Sequence, residues 1–119
     1  MSELSVDALR LELREFARER DWEQFHNPKN LAMALAGEVG ELLEIFQWLT
    51  HEEADGVMDS PRAADVDDEL ADVAIYLLRL ADVLDVDLLE VAQAKLERNR
   101  ERFPPAHVSG RADVPPAGS

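Results

Sequence analysis

The sequence predicts an all-α protein, a four-helix bundle built as one domain. Three observations predict it. Apolar residues recur at helical spacing in four segments, capping residues stand ahead of those segments, and no stretch alternates with the period of two that a half-buried strand needs. Short connections between four such helices leave a bundle as the economical packing.

The first helix is expected from about Ser5 to Arg20, with Ser5 as N-cap and Val6, Leu9, Leu13, Phe16 and Ala17 on one face. After DWEQFHNP, Asn27 caps and Pro28 occupies the first helical position of a second helix, which runs to about Trp48. THEEADGVMDS reads as a loop. Ser60-Pro61 repeats the cap-then-proline signal and opens a third helix to about Leu84. Asp87, with Glu90 three residues on, starts a fourth helix that ends near Phe103-Pro104. The domain is thus residues 1–104. The remainder, 105–119, ends in VPPAGS and is expected to be a disordered tail.

Composition narrows the chemistry. A formal charge of −14 over 119 residues repels polymeric nucleic acid and anionic lipid, so neither is an expected partner. The absence of cysteine rules out thiol catalysis, disulfides and zinc–thiolate sites. MSELSVDAL has neither a basic nor an apolar leader region, and no run of eighteen apolar residues occurs, so a cytoplasmic protein is expected. No phosphate-cradling glycine loop, Ser/His/Asp set or zinc spacing competes for attention.

What does stand out is acid on apolar faces. Wound at about 100° per residue, Glu38 falls between Leu31 and Ile45, each about 20° away, in the middle of the apolar stripe of the second helix. Glu41 lies about 60° round, and Glu44 at the edge of the stripe. The third helix repeats the pattern: Glu69 is flanked by Val73, Tyr76 and Leu80, with Asp72 about 60° away. Burying several unpaired carboxylates costs several kcal/mol and sets them repelling one another. Only Arg62 shares the Glu69 stripe, and the second helix offers only Lys29 near its start. A shared hard divalent cation, Mg²⁺ before others, is therefore the expected counter-charge.

Other side chains group around this pattern. Trp48 lies on nearly the same line as Glu41 two turns on, and Trp22 precedes the second helix. Two such π-surfaces suit stacking on a base, or plugging the ends of the bundle. His26, before Asn-Pro, suits a ligand or a phosphate contact, or else a backbone hydrogen bond. Lys95 and Asn99 continue the face begun by Leu88 and Ala92, where a cation and an amide replace apolar residues, as a phosphate and a sugar or base edge would require. Leu11 and Leu78 fall off the main stripes and suggest further apolar faces buried in an oligomer.

Read together, EVGELLE (residues 38–44) and DELADV (68–73) resemble the ExxE…ExxD signature of the MazG-like all-α nucleotide pyrophosphohydrolases. RDWEQFHNPKNLAMALAGEVGELLEIFQW (20–48), ELADVAIYLLRLADVLDVDL (69–88) and KLERNRERFP (95–104) are similar to one branch, the dCTP pyrophosphatases. The resemblance covers about Leu9 to Pro104. It implies a helical bundle assembling as a homodimer or dimer of dimers, a tetramer in preference to a dimer. It implies Mg²⁺, with Mn²⁺ as a substitute, on Glu38, Glu41, Glu69 and Asp72. Base contact by Trp22, Trp48 and Tyr76 also follows from it, with Lys95 and Asn99 near the nucleotide. Leu13 stands where animal members carry a histidine, a departure that bears on base preference.

The expected reaction is metal-assisted hydrolysis of a nucleoside triphosphate to the monophosphate and pyrophosphate, with dCTP or a modified pyrimidine deoxynucleotide preferred. Glu41 is the expected general base, with Glu44 as the alternative. Rival readings keep the site and change the substrate, to dUTP, a broad range of triphosphates or phosphoribosyl-ATP. A non-catalytic helical interaction module is the rival from another class.

Overall fold

A computed structural model describes residues 4–113, and among them every regular element is helical. The helices are α1 (Val6–Glu19), α2 (Pro28–Phe46), α3 (His51–Asp55), α4 (Ala63–Val83), α5 (Leu88–Arg102) and α6 (Pro105–Val108), with a 3₁₀ turn at Val57–Asp59. None is long and apolar enough to cross a membrane. The chain divides into two compact units, Met1–Asp85 and Val86–Ser119.

In the first unit, α1 starts at Ser5, whose hydroxyl accepts the Ala8 N–H at 3.0 Å. Its end is more informative. Asp21 adopts a left-handed conformation, φ 54°. The Trp22 N–H reaches back to the Ala17 carbonyl at 2.9 Å, and the Asp21 N–H to that of Arg18 at 3.1 Å. These are the two bonds of a Schellman motif, which favours an apolar contact between the returning residue and the last turn. Trp22 makes that contact with Phe16, ring centroids 5.7 Å apart and edge to face. The turn thereby brings Trp22 back against its own helix.

Asn27 caps α2 by accepting the Asn30 N–H at 2.8 Å, with Pro28 at the first position. The helix packs chiefly on α4, and α4 also receives α1. Ile45, Val57 and Val66 form a buried cluster joined by Phe46 and Leu49. Leu31 from α2 and Leu78 and Ala81 from α4 are also buried, as is Ala17 from α1.

Three local expectations need correction. The segment expected as a loop contains α3, opened by a complete capping box: the Glu53 N–H donates to the Thr50 hydroxyl at 3.1 Å, and the Thr50 N–H to the Glu53 carboxylate at 2.9 Å. Ser60 does not cap α4. Its hydroxyl donates to the Val57 carbonyl and closes the 3₁₀ turn, so the helix opens two residues after Pro61, at Ala63. Leu78 is not a spare apolar residue, since it is 7% exposed, whereas Leu11 is exposed.

In the second unit, the Asp87 carboxylate accepts the Glu90 N–H at 3.1 Å and starts α5, which carries Arg100 and Arg102 in its last turn. The tail expected to lack order from residue 105 begins with α6, which has Pro105 in its first turn. Residues 114–119 of that tail lie outside the described residues.

Candidate active site

The packing of α2 on α4 brings acid to acid. One carboxylate oxygen each from Glu38, Glu41 and Glu69 lies within 4.8 Å of the others. Glu38 and Glu69 are half-buried, because each sits within an apolar stripe of its helix, and Glu41 is exposed at their edge. Glu38 Oε2 and Glu69 Oε2 are shielded from water and have no hydrogen-bond donor. The basic residues that share these helix faces do not reach them: Arg62 pairs instead with Asp65 at 3.0 Å.

Like charges held this way resist ionisation. Burial is the main cause of the raised Glu38 pKa, opposed in part by its contact with Glu69 and reinforced by Glu41 and Asp72. Glu69 is pushed up to about 7, again chiefly by burial, then by the Glu38 and Glu41 carboxyls. Unaided, the cluster therefore holds a proton into the neutral range. An all-oxygen donor set with two orphaned buried oxygens fits a hard divalent cation that keeps part of its hydration shell.

Of the four expected metal ligands, Asp72 stands apart. It lines an adjacent cavity of about 240 Å³ rather than joining the three converging oxygens. Leu13 and Phe16 from α1, Trp22 and His26 from the following loop, and Ile75, Tyr76 and Arg79 from α4 complete that cavity. Asp72 sits one turn on from Glu69, so the cavity and the carboxylate cluster share one stretch of α4. The lining is mostly apolar and aromatic with few polar groups, the usual make-up of a small-molecule site.

The other expected residues are distributed as follows. Trp22, His26 and Tyr76 line the cavity, and Trp22 and His26 approach each other at 6.2 Å between ring centroids. Trp48 does not line it; the residue follows α2 and is 86% exposed. Glu44 is exposed on α2, outside the cluster. Lys95 is exposed and Asn99 half-buried, both on α5 in the second unit.

Arg79 escaped the reading of the sequence. It is buried, donates from Nε to His26 Nδ1 at 3.0 Å and from Nη1 to Asp82 at 3.1 Å. Asp82 also accepts from Arg10 and Arg14, tying α1 to α4. The available signal was one charge within VAIYLLRLA, at positions 73–81.

A family model described as the MazG-like family matches residues 34–110. The dCTP pyrophosphatase 1 of Bos taurus is 49% identical over 109 residues, covering 91% of this chain and 64% of that protein. The Homo sapiens protein of the same name is 53% identical over 96 residues, covering 80% and 56%. The chain thus spans less than two thirds of the length of these curated relatives. A crystal structure of a pyrophosphatase from Archaeoglobus fulgidus matches with a TM-score of 0.79 at 41% identity, covering 87% of this chain and 96% of that one.

Proposed function

Because this chain belongs to the MazG-like family, we propose that it is a Mg²⁺-dependent nucleotide pyrophosphohydrolase that cleaves a nucleoside triphosphate to its monophosphate and pyrophosphate. The relatives named dCTP pyrophosphatase 1 support dCTP, or a modified pyrimidine deoxynucleotide, as the preferred substrate. The observation that carries the reading is the pair of buried, donorless oxygens on Glu38 and Glu69 beside a cavity of about 240 Å³. That volume lies below the roughly 300–1,000 Å³ of pockets for drug-sized ligands. It suits a single ring rather than a whole nucleotide.

Glu38, Glu41 and Glu69 hold the cation, with Asp72 joining from the cavity wall. Mg²⁺, or Mn²⁺ in its place, supplies positive charge against the phosphates and lowers the pKa of water. Glu41, the exposed member of the cluster, is the general base that orients the attacking water and takes its proton, with Glu44 on the same helix as the alternative. Trp22 and Tyr76 flank the base, with His26 on the cavity wall. Trp48, Lys95 and Asn99 are assigned to the nucleotide as well, the lysine to phosphate charge and the asparagine to a sugar or base edge.

The catalytic domain is residues 1–104, and the protein acts in the cytoplasm on the nucleotide pool. We assign a homodimer or dimer of dimers as the working form, in preference the tetramer. Leu11, Leu43, Trp48 and Leu70 are exposed apolar side chains that such an assembly would cover.

The deciding experiment measures pyrophosphate release from a panel of ribo- and deoxynucleoside triphosphates, with and without Mg²⁺. Release that requires the metal and is greatest for a pyrimidine deoxynucleotide is expected. A chain inert towards every nucleotide and indifferent to chelation would instead be an interaction module. Full turnover by Glu41→Gln would remove the assignment of the base.

A further inference from the structure

Arg79 is a buried cation that the phosphate chemistry leaves unused, and its position against His26 has a chemical consequence. Guanidinium carries only donors and keeps its proton at any physiological pH. The Nε contact of 3.0 Å therefore requires a lone pair on His26 Nδ1. A neutral imidazole with an unprotonated Nδ1 carries its hydrogen on Nε2. Among the described residues no hydrogen bond engages Nε2, and His26 is part of the cavity wall.

We propose that Arg79 locks His26 as the Nε2–H tautomer, so that a mostly apolar and aromatic cavity presents a fixed imidazole hydrogen-bond donor to an acceptor on the edge of the nucleobase. This rests on the reading that the cavity receives the base. Arg79 is a positioning residue, and His26 is the contact. Arg79 can hold the ring because it is itself held: Nη1 donates to Asp82 at 3.1 Å, and Asp82 also accepts from Arg10 at 2.7 Å and Arg14 at 2.6 Å. Burial, followed by the Arg79 charge, keeps the imidazole below its usual pKa, which favours the neutral ring the lock needs. Phe16, Trp22 and Ile75 supply apolar wall, where an unmatched polar edge of a base is costly and a matched one selective.

Two measurements on the full chain test the proposal. The first is ¹⁵N NMR of histidine-labelled protein, which distinguishes protonated from unprotonated ring nitrogens. In the wild type, His26 should show a bare Nδ1 and a protonated Nε2, and Arg79→Leu should mix the tautomers. Should Arg79→Leu fail to fold, Arg79→Gln, which retains a side-chain N–H, should preserve the wild-type signature. The second is pyrophosphate release across the nucleotide panel with Mg²⁺. His26→Leu should raise KM for the preferred nucleotide by roughly tenfold, the loss of about one hydrogen bond, with a smaller effect on kcat. His26→Gln, whose amide keeps a donor near the Nε2 position, should recover part of that loss.

A protonated Nδ1 in the wild type overturns the lock. A change in KM of less than twofold in His26→Leu, or an equal change for every base, overturns the role of the donor. These failures differ from failure of the underlying reading, in which the wild type itself hydrolyses no nucleotide.

Discussion

Asp82 offers the sharpest test of the energetics that organise the cavity. Its side chain is 6% exposed and accepts from three arginines: Arg10 at 2.7 Å, Arg14 at 2.6 Å and Arg79 at 3.1 Å. Arg14, the largest influence, together with Arg10, brings its pKa down from 3.8 to about 2. At about 1.4 kcal/mol per pH unit, that drop corresponds to about 2 kcal/mol in favour of the folded, ionised state. Arg14 is 52% exposed, so water screens its share and about 2 kcal/mol is the upper end for Asp82→Asn. Asp82→Ala should cost more, about 3–4 kcal/mol, because it strands Arg79, which is as buried as its partner. A carboxylate with a depressed folded pKa contributes fully above 3.8 and loses that contribution as pH falls towards 2. The gap between wild type and Asp82→Asn should therefore be widest near neutrality and close in acid. Urea unfolding followed by circular dichroism, at one fixed protein concentration, measures it. A gap below about 0.5 kcal/mol at pH 7 refutes the reasoning. So does a gap that persists undiminished at the acid end.

Three other predictions concern the carboxylate cluster and the turn that presents Trp22. Glu69 titrates at about 7 in the fold, above its ordinary 4.5, so the metal-free protein should lose stability as pH rises between those values. Added Mg²⁺ should then raise the melting temperature more at pH 8 than at pH 5, and equal gains at both would count against a metal role for the cluster. Glu69→Gln should lower turnover by about a hundredfold or more while raising the metal-free melting temperature. Full activity in that variant would remove Glu69 from the site. Asp21 holds φ 54° in the turn after α1, so Asp21→Gly should stabilise by about 0.5–1 kcal/mol and Asp21→Val should destabilise. Thermal unfolding of the pair decides the matter, and an unchanged valine variant would show the turn to be dispensable.

Helical periodicity made the carboxylate cluster legible. Glu38 and Glu69 occupy positions in repeating apolar stripes, and two helices that pack along those stripes must bring them together. Asn27, Ser5 and Asp87 were legible as caps because each bonds only a few residues away. The helix at residues 51–55 was missed because five residues hold too little of a period, although Thr50 and Glu53 spelled its capping box. Ser60-Pro61 misled because the serine satisfies the preceding turn rather than the following helix. The Arg79–His26 contact spans 53 residues of chain, and no local rule connects them. Asp72 shows the limit of helical winding: angle placed it beside Glu69, but whether it faces the cation or the cavity depends on what α1 brings opposite.

Three carboxyls converge where α2 packs on α4, and two of their oxygens are buried without a donor. Such a depression sorts visitors by sign before it sorts them by shape. A bare polyphosphate meets repulsion there, while the same molecule already carrying its cation meets attraction. Under the proposed function, enzyme and substrate draw on one ion, and turnover should follow the concentration of complexed nucleotide rather than total nucleotide. Excess free triphosphate would then act as an inhibitor by stripping the shared ion away.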